Sequence, residues 1–385
     1  MKDSNFKYSL NVVCRWIVGC VFIFAGFVKG VDPMGTVFKI QEYMSVWSIG
    51  SFTFEWAVPL AGVLSMCLIV LEFLVGVMLI TGSFQRLTSW TLAVMMIFFT
   101  VTTLIDALTN KVTDCGCFGD AIPLTNWQTF WKNVALDVLT VWIVLTRNMR
   151  RKLRTERDSV IAIVTIVAMT IFGLYNISNE PVIDFREWKV GNQMIPFEEN
   201  LEMKSYLTYQ NKETGETLEF ESKELMKYYE DSVWMNTWEF LDSRVVDPYE
   251  IKADGFSMVG IDGEDYAREL VGSPEPIVIA TIHHIEDVDE HGAEAVVNTY
   301  KFAKDHDFKF VILSSALEEQ IEAFLFENDL NAVSYFFTDD TAIETMLRSN
   351  PGFILLKDAV VLGKWHYRNA DDIQNIDVDQ IFENQ

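Results

Sequence analysis

Disulfide exchange needs a thiol, and of the five cysteines in these 385 residues two stand one residue apart, in Asp114-Cys115-Gly116-Cys117-Phe118-Gly119-Asp120. Glycine between them frees the backbone, and Phe118-Gly119 keeps the turn tight, so both thiols lie within reach of a common partner or of each other. If they bond to each other, the ring is small and strained, and strained disulfides are the more oxidising ones. That suits a donor of disulfides better than a structural staple. The competing reading is a surface turn whose cysteines only pack or form a structural bridge, because spacing alone does not establish reactivity. Cys14, Cys20 and Cys67 fall inside apolar runs and read as small buried side chains.

The elements that position this pair are read from hydropathy. The chain is 50% hydrophobic yet carries a net charge of -25. Residues 1 to 176 hold 14 Lys/Arg against 11 Asp/Glu, and residues 177 to 385 hold 16 against 44. The first part is membrane and the second a soluble, strongly acidic part, a balance that excludes nucleic acid as a partner. A helix needs about 20 apolar residues to cross a hydrocarbon core. Five runs meet that length: Tyr8 to Val28, Ala57 to Ile80, Leu87 to Leu108, Trp127 to Leu145 and Ser159 to Ile177. Arg15 in the first, with no Ala-x-Ala-like site after it, argues for a retained helix over a cleaved signal peptide. Lys29 to Trp56, with Asp32-Pro33, Gly35, Tyr43, Trp47 and Trp56, reads as an interfacial amphipathic segment.

Arg147, Arg150, Arg151, Lys152, Arg154 and Arg157 crowd the connection between the fourth and fifth runs, which makes that side cytoplasmic. Lys2, Lys7 and Arg86 agree. The Cys115/Cys117 turn and everything after Ile177 then lie across the membrane, in a bacterial chain the periplasm, where thiols tend to be oxidised. Arg15, Glu72, Lys132 and Asp137 lie within the apolar runs. Each costs about 2.5–3.5 kcal/mol at the bilayer centre, so they are expected to face the bundle interior or to snorkel. Either they pair helices, or Glu72 and Asp137 belong to a proton or quinone path linked to the thiols.

Arg15, Gly26, Lys29, Asp32-Pro33, Glu42-Tyr43, Glu72-Phe73 and above all Cys115-Gly116-Cys117-Phe118-Gly119 make the first 150 or so residues resemble the DoxX/MauE family of four-helix membrane proteins. MauE-like proteins are implicated in methylamine utilisation, where they help form disulfides in an exported dehydrogenase alongside a thioredoxin-like partner. The resemblance implies a role of that kind, without implying methylamine as a substrate. The fifth span and the long acidic tail depart from the family.

After the fifth span, residues 179 to 270 read as a β-rich extracytoplasmic region with a hairpin over Tyr206 to Phe220, turning around Gly215, and with Trp188, Trp234 and Trp238 as its core. From residue 271, strands at Pro276 to Ile282, Phe308 to Ser314 and Ala332 to Phe337 alternate with helices at Ala293 to Lys304, Glu318 to Asn328 and Thr341 to Arg348. A hairpin over Gly352 to Tyr367 follows. This order resembles a thioredoxin-like domain, in which Asn350-Pro351 takes the place of the family's cis-proline. The family's Cys-x-x-Cys should follow Ile282; the chain reads His283-His284-Ile285-Glu286-Asp287 instead, so this domain exchanges no thiols. His283, His284 and His291 stand among Glu286, Asp287, Asp289 and Glu290. Adjacent histidines point to opposite sides of a strand and no familiar ligand spacing appears, so no metal is expected.

The fold expected is therefore a four-helix DoxX/MauE-like bundle over residues 1–150, a basic loop and fifth span over 151–178, the β-rich region and a degenerate thioredoxin-like α/β domain. It is expected in the bacterial inner membrane with its C-terminal domain in the periplasm. Two function classes stand open. One is a membrane-bound thiol-disulfide oxidoreductase or maturation factor that uses Cys115 and Cys117 on an exported client and passes electrons to a membrane quinone. The other is a non-enzymatic scaffold whose thioredoxin-like domain binds a client.

Overall fold

A computed structural model describes residues 2–46, 48–49, 52–53, 55–112, 116–147, 155–196, 201–228, 231–253 and 255–378. Two compact units result. The first is Met1–Arg186 joined by Met346–Gly352 and Trp365–Ala370, and the second holds the remainder of the chain from Glu187.

The first unit is helical: α1 (Lys2–Val31), α2 (Pro33–Val46), α3 (Ala61–Thr81), α4 (Gln85–Thr109), α5 (Asn126–Thr146) and α6 (Thr155–Ser178), with two-residue strands β1 (Ser48–Ile49) and β2 (Phe52–Thr53) between α2 and α3. Five of these helices, all but α2, are long and apolar enough to cross a membrane. Cys14, Val18 and Phe22 of α1 meet Val75 and Leu79 of α3, Leu92 and Met96 of α4 and Leu136 and Ile143 of α5 in one buried cluster. The backbones of α1 and α3 approach closely because small residues face each other, the usual device where lipid removes the hydrophobic drive between helices. A Cβ at Gly26 would stand 2.7 Å from the Phe73 nitrogen, and one at Gly76 2.8 Å from the Gly19 oxygen.

Helix ends follow local chemistry. Asp32 accepts the Gly35 N–H (3.0 Å) ahead of Pro33, the first residue of α2, so Asp32-Pro33 is a cap followed by a pre-set first turn. Thr125 and Gln128 form a reciprocal capping box on α5. At the far end of α3, Arg15 Nε donates to the Leu79 carbonyl at 2.8 Å, placing a cation where the helix leaves carbonyls unpaired.

The second unit contains two sheets. In the smaller, ordered β4-β3-β5, β3 (Lys204–Asn211) pairs antiparallel with β4 (Thr217–Glu221) and with β5 (Trp238–Val246); α7 (Ser222–Leu225) and α8 (Ser232–Thr237) lie between β4 and β5. Trp234 packs on Tyr209, Phe220, Tyr228 and Trp238. Trp188, expected in that same core, is buried instead against Phe256, 4.8 Å between ring centroids. A large indole needs burial but nothing in its neighbours says where.

After α9 (Ala267–Val271) comes the five-stranded sheet, ordered β10-β9-β6-β7-β8. Its strands are β6 (Ile277–Ile282), β7 (Lys309–Ser314), β8 (Ser334–Phe337), β9 (Gly352–Lys357) and β10 (Val360–His366), and its helices α10 (Glu290–Asp305), α11 (Glu318–Glu327) and α12 (Asp340–Met346). β6, β7 and β8 run parallel, registered Ile277↔Lys309 and Val311↔Ser334. Every residue of β6 and β9 is buried, as strands covered on both faces require, and their sequences are correspondingly apolar. The βαβ order with a central β6 and an Asn350–Pro351 peptide that is cis immediately before β9 is thioredoxin-like.

Candidate functional site

The Cys-Gly-Cys stretch sits between α4 and α5, and Cys115 lies outside the described residues. Gly116 (φ +60°) adopts a backbone suited to glycine, and the Lys39 stem of α2 passes 3.4 Å from where its Cβ would stand. Cys117 is half-buried and lines a small cleft with Gly116, Phe118, Gly119, Ile122 and Pro123. The Phe118 ring meets Phe24 of α1 edge-on at 5.4 Å, and Lys132 Nζ of α5 lies 4.2 Å above it. Two lysines thus flank the thiol-bearing segment, one by its stem beside Gly116 and one over the Phe118 ring. Lys132 was singled out by its place in an apolar run; Lys39 was not, and its only signal was Glu42 one helical turn on, to which it pairs at 2.7 Å.

Several charged residues of the spans find partners across helices. Lys29 Nζ holds both carboxylate oxygens of Glu72 at 2.8 and 2.7 Å, with the two residues 7% and 3% exposed. Asp137 accepts from Thr100 at 2.7 Å, joining α5 to α4. Tyr43 donates to the buried Asp106 at 2.6 Å.

Asp32 and Asp120 meet at one guanidinium. Arg348 Nη2 reaches Asp32 Oδ2 at 2.7 Å and Asp120 at 3.1 Å, while its Nε completes a fork on Asp32 Oδ1 at 3.1 Å. Arg348 belongs with Pro351 to the stretch Met346–Gly352, which by its contacts is part of the first unit. Burial pushes the Asp32 carboxyl up, but Arg348 and, behind it, Arg186 outweigh this and hold it below the usual carboxylate range. Arg186 is itself bound to Asp184 (2.7 Å) and Glu180 (3.0 Å). None of Arg186, Glu180 or Arg348 carries a sequence signal, since each partner is remote in the chain or lies in a loop.

His366, in the same unit, accepts the Arg368 N–H at Nδ1 (3.2 Å) and is pushed down to about 4, by burial first and then by the Arg368 charge, against Glu180. The folded ring therefore stays neutral where an unfolded one protonates, so its contribution is full above pH 6.5 and is lost as pH falls toward about 4. Thermal unfolding of the detergent-solubilised protein is expected to show a fall in Tm across that window that His366→Gln flattens. An equal slope in the variant sinks the assignment.

In the second unit His283 follows β6 directly, 6% exposed, with Nδ1 at 2.9 Å from Asp340 Oδ1. His284 Nε2 lies 4.0 Å from Asp340 Oδ2. The two histidines were expected to diverge; both reach one carboxylate, because β6 ends at Ile282 and the strand alternation ends with it. All five cysteines of the sequence precede residue 118, so the second unit holds no thiol.

The architecture is that of a helical membrane protein carrying a thioredoxin-like α/β unit. Residues 7–146 match the family described as methylamine utilisation protein MauE, so the membrane unit is MauE-like. Three solved structures are similar to part of the chain. They are a secreted Mycobacterium tuberculosis disulfide oxidoreductase (12% identical, 28% of this chain and 78% of that one, TM-score 0.23), the thioredoxin domain of a Bacteroides vulgatus thiol-disulfide oxidoreductase (14%, 29% and 84%, 0.23) and StoA from Bacillus subtilis (15%, 31% and 93%, 0.24). The α/β assignment rests on strand order and not on these superpositions. No curated protein matches the chain.

Proposed function

We propose that this membrane protein is a thiol-disulfide exchange or maturation factor for exported proteins, with Cys115 and Cys117 as the exchanging pair. The observation that carries the reading is the seat of Cys117, half-buried at a cleft, with Lys39 and Lys132 beside its segment. A second support is the absence of any thiol in the thioredoxin-like unit, which leaves the redox step to the membrane unit. In that step a client thiolate attacks the Cys115–Cys117 disulfide, and a second client thiolate resolves the mixed disulfide. The client leaves oxidised and both cysteines leave as thiols. Two electrons and two protons must then pass on, for which a membrane quinone is the fitting acceptor and Asp137 or Glu72 the candidate proton relays within the spans. A Cys115→Ser, Cys117→Ser double variant that matures clients at the normal rate removes this reading and leaves the scaffold reading.

The proposal requires an extracytoplasmic second unit. Arg147 and Arg157 border the connection between α5 and α6, and the positive-inside rule places that loop in the cytoplasm. Alkaline phosphatase fused after Gln385 is expected to be active. An inactive fusion, with a fluorescent cytoplasmic reporter at the same site, reverses the orientation.

A further inference from the structure

Away from the cysteines, the described residues gather His283, Asp340 and Glu344 so that one donor atom of each lies within 4.8 Å of the others. We propose that these three, with His284, bind one divalent transition-metal ion of the zinc class in the second unit. The elements that bring them together are few. His283 and His284 leave the carboxyl end of β6, and Ser315 leaves the carboxyl end of the parallel β7, the edge at which open α/β sheets form crevices. Asp340 and Glu344 stand four residues apart on α12 and so share a face.

The geometry is that of donors already half assembled. Two ligands about 2.0–2.2 Å from a common ion, at right or tetrahedral angles, stand roughly 3.0–3.5 Å from each other. His283 Nδ1 and Asp340 Oδ1 are 2.9 Å apart, and His284 Nε2 is 4.0 Å from Asp340 Oδ2. Ser315 Oγ lies 2.9 Å from both Asp340 Oδ1 and the His283 carbonyl and shares its one hydroxyl proton between them, which orients both ligands from behind, as outer-shell partners of metal ligands do. Two imidazoles and two carboxylates supply two negative charges to a dication, and the nitrogen donors favour zinc, copper, iron or nickel over calcium and magnesium, which seek oxygen alone. The competing account is a hydrogen-bonded tie that fastens α12 to the ends of β6 and β7.

The test uses the full chain in detergent, its affinity tag removed and its metal stripped by a chelator, titrated with Co2+. One equivalent is expected to bind with visible d–d absorption and to be displaced by Zn2+. Glu344→Gln, Asp340→Asn and the more exposed His284→Ala are each expected to weaken Co2+ at least tenfold, and Glu286→Gln to leave it unchanged. Metal is expected to raise Tm in the wild type and not in Glu344→Gln. No stoichiometric binding to the wild type, or binding undiminished in both Glu344→Gln and His284→Ala, overturns the proposal and leaves only the tie.

Discussion

Glu72→Gln is expected to destabilise the folded membrane unit by about 3–5 kcal/mol, the usual cost of leaving one charge of a buried pair without its partner. Lys29 Nζ has both Glu72 oxygens within 2.8 Å, and the residues are 7% and 3% exposed, so neither can turn to water in place. The pair exists because Gly26 and Gly76 let the α1 and α3 backbones approach, which sets Lys29 opposite Glu72. Replacing both residues, Lys29→Met with Glu72→Leu, is expected to recover most of the loss, since a desolvated pair and an apolar pair of similar volume are close in energy. Unfolding in mixed detergent micelles measures both. A loss under about 1 kcal/mol for the single variant would mean that water reaches the pair.

The second large effect is on chemistry. Replacing both Cys115 and Cys117 by serine is expected to abolish client oxidation, because no other cysteine is placed to substitute. Cys14 is buried in the helix core, whereas Cys20 and Cys67, read from the sequence as buried side chains, are exposed on the apolar helices α1 and α3. Each single variant is expected to lose client oxidation as well, since one thiol alone has no disulfide to pass on; given a client activated as a thionitrobenzoate mixed disulfide, the variant that keeps the client-facing sulfur is expected to displace thionitrobenzoate and hold the client in a reducible higher-mass band. Cys14→Ser, Cys20→Ser and Cys67→Ser are expected to leave maturation unchanged. A double variant of full activity would assign the chain to scaffolding.

Much of the fold was legible because long apolar runs and strand-helix alternation are local signals. The fifth span, read as Ser159 to Ile177, is α6 over Thr155–Ser178, and its polar ends extend the helix beyond what hydropathy marks. The strand read as Ala332 to Phe337 is β8 over Ser334–Phe337. Of the candidate site the sequence offers only what is consecutive, the Cys115-Gly116-Cys117 stretch that the proposal takes as its centre. Lys39 beside Gly116, Arg348 on Asp32 and His284 near Asp340 are products of tertiary packing, and neither periodicity nor spacing records them. The rule that neighbouring side chains diverge held only as far as the strand itself, and the histidines begin where β6 stops.

The bond between Asp32 and Arg348 spans 316 positions, and it sets an order of events during synthesis. At the usual 5–20 residues per second, roughly 15–60 s separate the emergence of the carboxylate from that of its guanidinium. Through that interval the cap on Gly35 and, from about the halfway point, Arg186 are what stabilise Asp32. The helices can therefore insert early, but their charge pairing is complete only once the ribosome has passed residue 348, and the unit itself only after Ala370. A nascent chain stalled short of that point is a membrane bundle with a solvent-seeking aspartate at the head of α2, a ready mark for quality-control proteolysis.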